Sequence, residues 1–344
     1  MASFRFILAA TDFSPEGNNA VWRAAAMSQQ LGARMGIVHI VDPAGYQPLR
    51  DWMLPSYQLD MMEARALAQV RQLAIDVAHC HGLTPSIVVQ EGDVGQKVAR
   101  AAATADLLVI GRPGRRKLRD LLTVRTADRI LRASRRPVLV ARNPVKGPYT
   151  KVLVPVDFSA CSDAALRAAR RLAPELTLGL FHAIDPANKT ITPEAEVPAW
   201  VVREVRARED AGTLARMRRQ VTRLGLDHRA MQFAVGRGRT VLATARHALQ
   251  QDAELMVITR AGRWSLSEFL PANVSNRLLK SSSCDVLLLP RLADAEAASH
   301  VTVEPTPLTM AMRDRGSRSA PRGLPAGAGA SLRNDSRFNW LARP

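Results

Sequence analysis

The sequence predicts an α/β protein that contains two doubly wound, five-stranded parallel sheets. The first observation is an internal repeat: ILAATDFS at 7–14 recurs as VLVPVDFS at 152–159, and DLLVIGRPGR at 106–115 recurs as ELMVITRAGR at 254–263. A period of this length is too long for a solenoid repeat and fits a whole domain. The second observation is that short apolar runs alternate with helical segments in both copies, which indicates parallel strands joined by right-handed crossovers.

The domain organisation follows from this repeat. We predict a first domain at 1–143, a second at 150–291 and a tail at 293–344. Gly147 and Pro148 lie at the boundary between the copies and indicate a linker there. The tail is basic and rich in Pro, Gly, Ala and Arg, and it has no apolar period, so we predict that it is disordered.

The first copy begins with FILAA at 6–10, a continuous apolar run typical of a strand buried on both faces. Ser14 and Pro15 are suited to the N-cap and first position of a helix that extends to about Leu31. The pattern predicts further strands at 35–41, 86–90, 106–111 and 137–141, with helices at about 58–81, 93–104 and 123–134.

The second copy repeats this pattern, and its helices include a long one at about 194–224. Its strands are predicted near 151–156, 177–183, 230–235, 254–259 and 285–289. The fifth strand of each copy is an apolar sheet edge, and pairing the two edges across a pseudo-twofold axis would cover both. We therefore expect a pseudo-dimer in which 137–141 contacts 285–289 within one chain. Self-association into a homodimer is left open, and the sequence names no protein partner.

The basic charge does not by itself indicate a nucleic-acid partner. The net charge of +17 is spread over both copies instead of being gathered in one arm, which is typical of a basic solvated exterior. The alternative is a protein that binds nucleic acid or another polyanion through Arg112–Arg119 and the tail. No apolar stretch approaches the length of a membrane span, and the N-terminus lacks the basic region of a signal peptide. We expect a cytoplasmic protein.

In a doubly wound sheet, the ligand crevice lies beyond the carboxyl ends of the strands, where the strand order reverses. If strands one and four are neighbours, Asp12 faces the segment 111–114 there. In the second copy, Asp157 faces the segment that begins at Thr259.

Four motifs recur in order in both copies: DFS after strand one, a His-x-x-Asp after strand two, GRPG or its counterpart after strand four, and a helix leading to PVLV or its counterpart DVLL. Together they resemble the universal stress protein family, over about 1–142 and 150–290. The resemblance implies strand order 3-2-1-4-5 in each domain and a tandem, non-enzymatic stress-response protein.

The nucleotide-binding branch of that family carries G-x2-G-x9-G-[S/T] after strand four. Glycines there have no Cβ, so backbone N–H groups can approach the phosphate oxygens closely. The N-terminus of the following helix adds partial positive charge. The first copy has Val124-Arg125 in place of the last pair. The second has Thr259 in place of the first glycine and Ala272-Asn273 in place of the last pair.

The resemblance therefore implies degenerate binding of ATP, with an ATP- or AMP-binding switch as the alternative. The residues implied to contact the nucleotide are Asp12, Val41, Gly111, Arg112, Gly114, Arg115 and Arg125 in the first copy, and Asp157, Gly262 and Asn273 in the second.

We predict no catalytic residues and no metal site. Asp12 and Asp157 are suited to contact a nucleoside or to cap the following turn. His39 and His182 end equivalent strands, and we expect packed histidines there. His79, Cys80 and His81 suggest a metal, but helical residues two apart point in different directions and no further ligands accompany them.

Overall fold

The structure, a computed structural model, describes residues 4–42, 55–112, 124–185, 198–260 and 273–290. All of them belong to one compact unit, Met1–Leu308. The predicted tail at 293–344 lies outside the described residues. No helix in the described ranges is long and apolar enough to cross a membrane.

The first half alternates strands and helices as the apolar pattern predicts. Helix α1 begins where the Ser14 side chain accepts a hydrogen bond from the backbone N of Gly17, and it ends at Gly32, whose φ of 62° is left-handed. The elements are β1 (Phe6–Ala10), α1 (Pro15–Leu31), β2 (Arg34–Val41), α2 (Pro55–His81), β3 (Ser86–Glu91), α3 (Val94–Ala102), β4 (Leu107–Gly111), α4 (Val124–Ala133) and β5 (Val138–Ala141).

The second half repeats the same succession. Ser159 is the N-cap of its first helix, as Ser14 is in the first half. The elements are β6 (Val152–Pro155), α5 (Ala160–Leu172), β7 (Leu178–Ile184), α6 (Ala199–Arg223), a 3-10 turn (His228–Ala230), β8 (Met231–Arg237), α7 (Thr240–Gln250), β9 (Leu255–Thr259), α8 (Asn273–Ser281) and β10 (Asp285–Leu289).

The strand order across the molecule is β3-β2-β1-β4-β5-β10-β9-β6-β7-β8. This confirms the order 3-2-1-4-5 within each half, where the neighbouring strands are parallel. The halves do not form two separate sheets, however. β5 and β10 pair antiparallel, with Leu139 opposite Leu287, so one sheet of ten described strands results. The sheet is continuous because each fifth strand would otherwise leave its backbone groups unpaired along an apolar edge.

The β5–β10 junction also makes the cores of the two halves continuous. Leu139 and Leu287 belong to an apolar cluster shared by α1, α2, α5 and α6. Val138 and Val286 belong to a second cluster, shared by α3, α4, α7 and α8. Successive side chains of a strand point to opposite faces, so each face of the ten-stranded sheet carries one core that crosses from the first half to the second.

A buried carboxylate at the start of β10 joins the halves. Asp285 is fully buried. Its Oδ1 accepts hydrogen bonds from the backbone N of Arg142 at 2.7 Å and of Asn143 at 3.1 Å. Its Oδ2 accepts from the Tyr149 hydroxyl at 2.6 Å and lies 3.2 Å from Nε of Arg23, as an ion pair. Burial raises the pKa of Tyr149 well above its usual value, and the charge of Asp285 is the second largest cause.

The partners of Asp285 also hold one another. The Arg23 guanidinium lies 4.2 Å from the centroid of the Tyr149 ring, and its Nη1 donates to the Gly147 carbonyl at 2.9 Å. Helix α1, the linker and β10 are thereby held at one point. The position in the first half that matches Asp285 is Pro137, which has no carboxylate, so this charge cluster has no counterpart across the pseudo-twofold axis.

We expect Asp285→Ala to lower the free energy of unfolding by about 3–5 kcal/mol, because it leaves the buried Arg23 without a counter-charge. Urea unfolding of the full chain measures this. The control is Glu204→Ala, which removes an exposed i,i+4 pair with Arg208 and should cost only about 0.3–0.5 kcal/mol. Equal losses in the two variants would show that the Asp285 cluster does not hold the halves together.

Candidate functional site

Each half has one point at the carboxyl edge of its sheet where the strand order reverses, and we refer to this place as the crevice of that half. In the first half this point lies between β1, which pairs with β2 on one side, and β4 on the other. In the second half it lies between β6 and β9, with β7 on the far side of β6. Ligands of doubly wound sheets bind at such points.

The DFS sequence forms the same turn at both crevices. Oδ1 of Asp12 accepts hydrogen bonds from the backbone N of Ser14 at 3.1 Å and from its hydroxyl. Oδ1 of Asp157 accepts from the backbone N of Ser159 at 3.0 Å and from its hydroxyl at 2.5 Å. Both aspartates therefore cap the turn that begins the next helix. Their contact with a nucleoside stays a prediction.

The central residue of each turn has an unusual backbone. Phe13 and Phe158 have φ of 61° and 65°, a left-handed conformation that is uncommon for a bulky side chain and costs on the order of 1–3 kcal/mol. The capped turn holds this conformation, and so does a ring contact. The centroids of Phe13 and His39 are 4.3 Å apart, and those of Phe158 and His182 are 4.7 Å apart.

The two histidines at the strand ends are fixed in one tautomer. Nδ1 of His39 lies 2.9 Å from the Thr11 carbonyl, and Nδ1 of His182 lies 2.7 Å from the Val156 carbonyl. Because a carbonyl oxygen can only accept, Nδ1 carries the hydrogen, and Nε2 of the neutral ring is an acceptor. Burial lowers the pKa of both imidazoles, so both rings are neutral at pH 7.

Gly111 has a structural role that its motif did not indicate. A Cβ at this position would lie 2.3 Å from the Glu16 carbonyl oxygen, so the glycine is required by the close approach of α1 to β4. In the second half, Thr259 has the equivalent place and its hydroxyl donates to the Cys161 carbonyl at 2.9 Å. The threonine that replaces the first motif glycine in the second half therefore has a structural role of its own, which is to contact helix α5.

A cavity of about 210 Å³ lies at the crevice of the second half. Its apolar lining includes Ile258, Val274 and Leu278, and its polar lining includes Asp157 and His182. Since both hydrogen bonds of Asp157 go to Oδ1, Oδ2 has no hydrogen bond within the described part of the chain. The cavity therefore has an apolar wall and a carboxylate oxygen that can accept a hydrogen bond.

Several further polar residues of this cavity, among them two threonines, were not singled out in the sequence. Thr240 and Thr244 lie one turn apart on α7 and line the cavity. The hydroxyl of Thr244 is buried and has no hydrogen-bond partner in the described structure. The signal that could have found them is a pair of threonines at i,i+4 on a helix that packs against the sheet.

The structure brings four predicted residues of the first half to one edge of the sheet. Asp12 follows β1, Val41 ends β2, Gly111 ends β4, and the backbone N of Arg112 donates to the Ala141 carbonyl at 2.9 Å. The predicted Gly114, Arg115 and Gly262 lie outside the described residues. Arg125 and Asn273 lie in the first turns of α4 and α8, and their side chains are not described.

Metal ligands do not gather at either crevice in the described residues, where no three His, Cys, Asp or Glu side chains are placed to hold an ion. Cys80, Cys161 and Cys284 are free thiols. Cys161 lines the cavity, and burial, together with the nearby charge of Asp157, raises its pKa. The thiol is therefore protonated near neutral pH.

Comparisons with known proteins agree on one family. The sequence model described as the universal stress protein family matches residues 3–142 and again 148–290. A universal stress protein of Mycolicibacterium smegmatis is 22% identical over 303 residues, which cover 82% of this chain and 96% of that protein. The crystal structure of a universal stress protein from Archaeoglobus fulgidus covers 83% of this chain and 96% of its own, with a TM-score of 0.59 at 17% identity. That likeness shows the fold.

A single-domain relative has also been solved with a ligand. The crystal structure of a universal stress protein in complex with cAMP covers 42% of this chain at 21% identity, with a TM-score of 0.27. The cAMP is the ligand of that protein.

The lowered pKa values of His39 and His182 predict a pH-dependent stability. As the pH falls through about 6.5, the unfolded chain binds protons before the folded chain does, so the free energy of unfolding decreases until the pH reaches the folded-state pKa values. Each histidine contributes at most about 1.4 kcal/mol per pH unit. Urea unfolding between pH 7.5 and 5.5 should therefore show a steeper loss for the native chain than for the double variant His39→Gln, His182→Gln. Identical slopes would contradict the assignment.

Proposed function

Since this chain belongs to the universal stress protein family through both of its halves, we propose that it is a non-enzymatic nucleotide-binding protein whose ligand occupies the cavity of the second half. The observation that carries the proposal is the cavity between β6 and β9, with the Asp157 carboxylate in its lining. The role that follows is regulatory: occupancy of the cavity reports nucleotide levels in the cytoplasm.

The chemistry of the lining suits a nucleoside. Ile258, Val274 and Leu278 offer apolar surface to the faces of a base. Oδ2 of Asp157 is placed to accept a hydrogen bond from a ribose hydroxyl, and a charged acceptor makes this a strong hydrogen bond. His182, through Nε2, adds a neutral acceptor beside it.

The phosphates lie outside the cavity in this proposal. A volume of about 210 Å³ is smaller than the roughly 300–1,000 Å³ of pockets that bury drug-sized ligands, so we assign the nucleoside alone to the interior. Helix α8 begins at Asn273, and Val274 in its first turn lines the cavity. The N-terminal amides of a helix carry partial positive charge and favour an anionic group.

The polar groups of the cavity that face a ligand are also held by structural hydrogen bonds. Oδ1 of Asp157 caps the turn to α5, and Nδ1–H of His182 is held by the Val156 carbonyl. Each group is fixed by a structural hydrogen bond. What each has left for a ligand is an acceptor, which recognises hydroxyl and amino groups. Among the described lining residues no lysine or arginine is present to stabilise the charge of a transferred phosphoryl group, so we propose recognition of the nucleotide without its hydrolysis.

Calorimetric titration of the purified full chain tests the proposal. We expect saturable binding of ATP or AMP at one site, with no ADP formed from ATP on prolonged incubation. Asp157→Asn keeps an oxygen for the Ser159 turn but removes the charged acceptor, and it should weaken binding about tenfold or more.

The matched variant is Asp12→Asn, which makes the same change in the first half. If Asp12→Asn weakens binding and Asp157→Asn does not, the ligand lies in the first half and the assignment to the cavity is wrong. Absence of saturable ATP or AMP binding at millimolar concentrations would reject the nucleotide proposal as a whole.

A further inference from the structure

Two arginine side chains cross from one half to the other and bind the ends of equivalent helices. The first is Arg260, which directly follows Thr259 in the wall of the cavity. Its backbone N donates to the Leu289 carbonyl at 3.1 Å. Its guanidinium reaches into the first half, where Nη1 donates to the Leu131 carbonyl and Nη2 donates to the Ser134 carbonyl at 2.6 Å. Leu131 and Ser134 lie at the C-terminal end of α4.

The second is Arg142, which follows β5 in the first half. Its Nη2 donates to the carbonyl of Leu279, near the C-terminal end of α8. Its backbone N is held by Asp285 at 2.7 Å. The last carbonyls of a helix lack intrahelical partners and carry partial negative charge, so a cation from the other half is favourable at both places.

The opposite ends of these two helices lie at the predicted nucleotide sites. α4 begins at Val124, next to Arg125, where the family motif has its last Gly-Ser pair. α8 begins at Asn273, and Val274 lines the cavity. The start of α8 thus lies at the cavity of its own half, the start of α4 holds the motif position predicted for the first half, and the far end of each helix is bound by the other half.

Helix α4 is suited to transmit a restraint along its length. Ala127 and Ile130 bury it against the core shared with α3. Its ten residues span about 15 Å. A short helix with a buried face moves as one body, so a restraint at its C-terminal carbonyls reaches its first turn.

We propose that Arg260 couples the cavity of the second half to helix α4 of the first half, so that a ligand in the cavity orders α4. The inference rests on the proposed function, since it requires a ligand in that cavity. A ligand that contacts Thr259 restrains the adjoining residue, and the guanidinium of that residue holds Leu131 and Ser134. By thermodynamic linkage, whatever orders α4 tightens binding in the cavity by the same factor.

A contact beside Arg142 supports coupling in the other direction: the backbone N of Arg112 donates to the carbonyl of Ala141, the residue before Arg142, at 2.9 Å. Burial lowers the pKa of Arg142, and the like charge of Arg112 is the second largest cause. Arg112 is a predicted anion contact of the first crevice. An anion bound there offsets the repulsion between the two guanidinium groups, one of which binds α8.

Hydrogen exchange of the full chain, followed by mass spectrometry with and without ATP, tests the proposal. Each variant is measured at ATP concentrations that saturate it, so that differences in affinity do not affect the comparison of exchange rates. In the native chain we expect ATP to slow exchange in both α8 and α4. Arg260→Ala removes two charge-assisted hydrogen bonds from the end of α4, so exchange there should rise about tenfold or more without ligand.

In Arg260→Ala, ATP should still protect α8 but no longer protect α4. Arg260→Lys is the matched control, because it keeps the positive charge but replaces the two-pronged donor by a single one, and we expect partial protection of α4. A structural role alone would raise the exchange of α4 in Arg260→Ala while leaving its response to ATP intact, and that result would overturn the proposal.

The two proposals fail in different ways. Protection of α8 without protection of α4 in the native chain shows binding without coupling, which overturns this inference and leaves the proposed function standing. No protection of either helix, together with no ATP binding by calorimetry, overturns the proposed function and the coupling with it.

Discussion

The antiparallel pairing of β5 with β10 is the constraint on which the rest of this structure depends. Each half is a parallel sheet whose fifth strand is apolar on both faces, and such an edge is unstable in water until it is paired. The pairing of Leu139 with Leu287 joins the two cores on both faces of the sheet. It also brings the C-terminal ends of α4 and α8 within reach of arginines from the other half.

The contacts around this pairing differ on the two sides of the pseudo-twofold axis. Asp285 gathers a guanidinium, a phenol and two backbone amides at one end of β10, whereas the matching place before β5 holds Pro137. A buried carboxylate is tolerated only when its charge and its lone pairs are satisfied. The two copies therefore differ at their interface, as they do in the crevices, where Gly111 lies against α1 and Thr259 donates a hydrogen bond to α5, the first helix of each half.

Much of the fold could be predicted from the sequence, because each strand is a short apolar run and the same order of strands and helices is found independently in both copies. The helix start at Ser14 followed from capping chemistry. Contacts between distant residues did not follow. Nothing local indicates that Gly111 faces the backbone of α1, or that Arg23 meets Asp285, because both contacts depend on how the helices pack against the sheet. The motif assigned Gly111 to phosphate approach, and the structure shows a packing requirement that spacing alone cannot reveal.

The Asp285 cluster also bears on how this tandem chain can evolve. Two identical domains can be held together by pairing their equivalent fifth strands, so a single copy of the domain can form the same contact with a second molecule. Two copies that have become complementary to each other cannot be replaced by a single copy in this way. A second half on its own would carry the Asp285 carboxylate into any self-paired β10 edge without Arg23 or Tyr149, which belong to the first half and the linker. With Asp285 in place, the second half could be separated from the first only by leaving a buried carboxylate without its counter-charge.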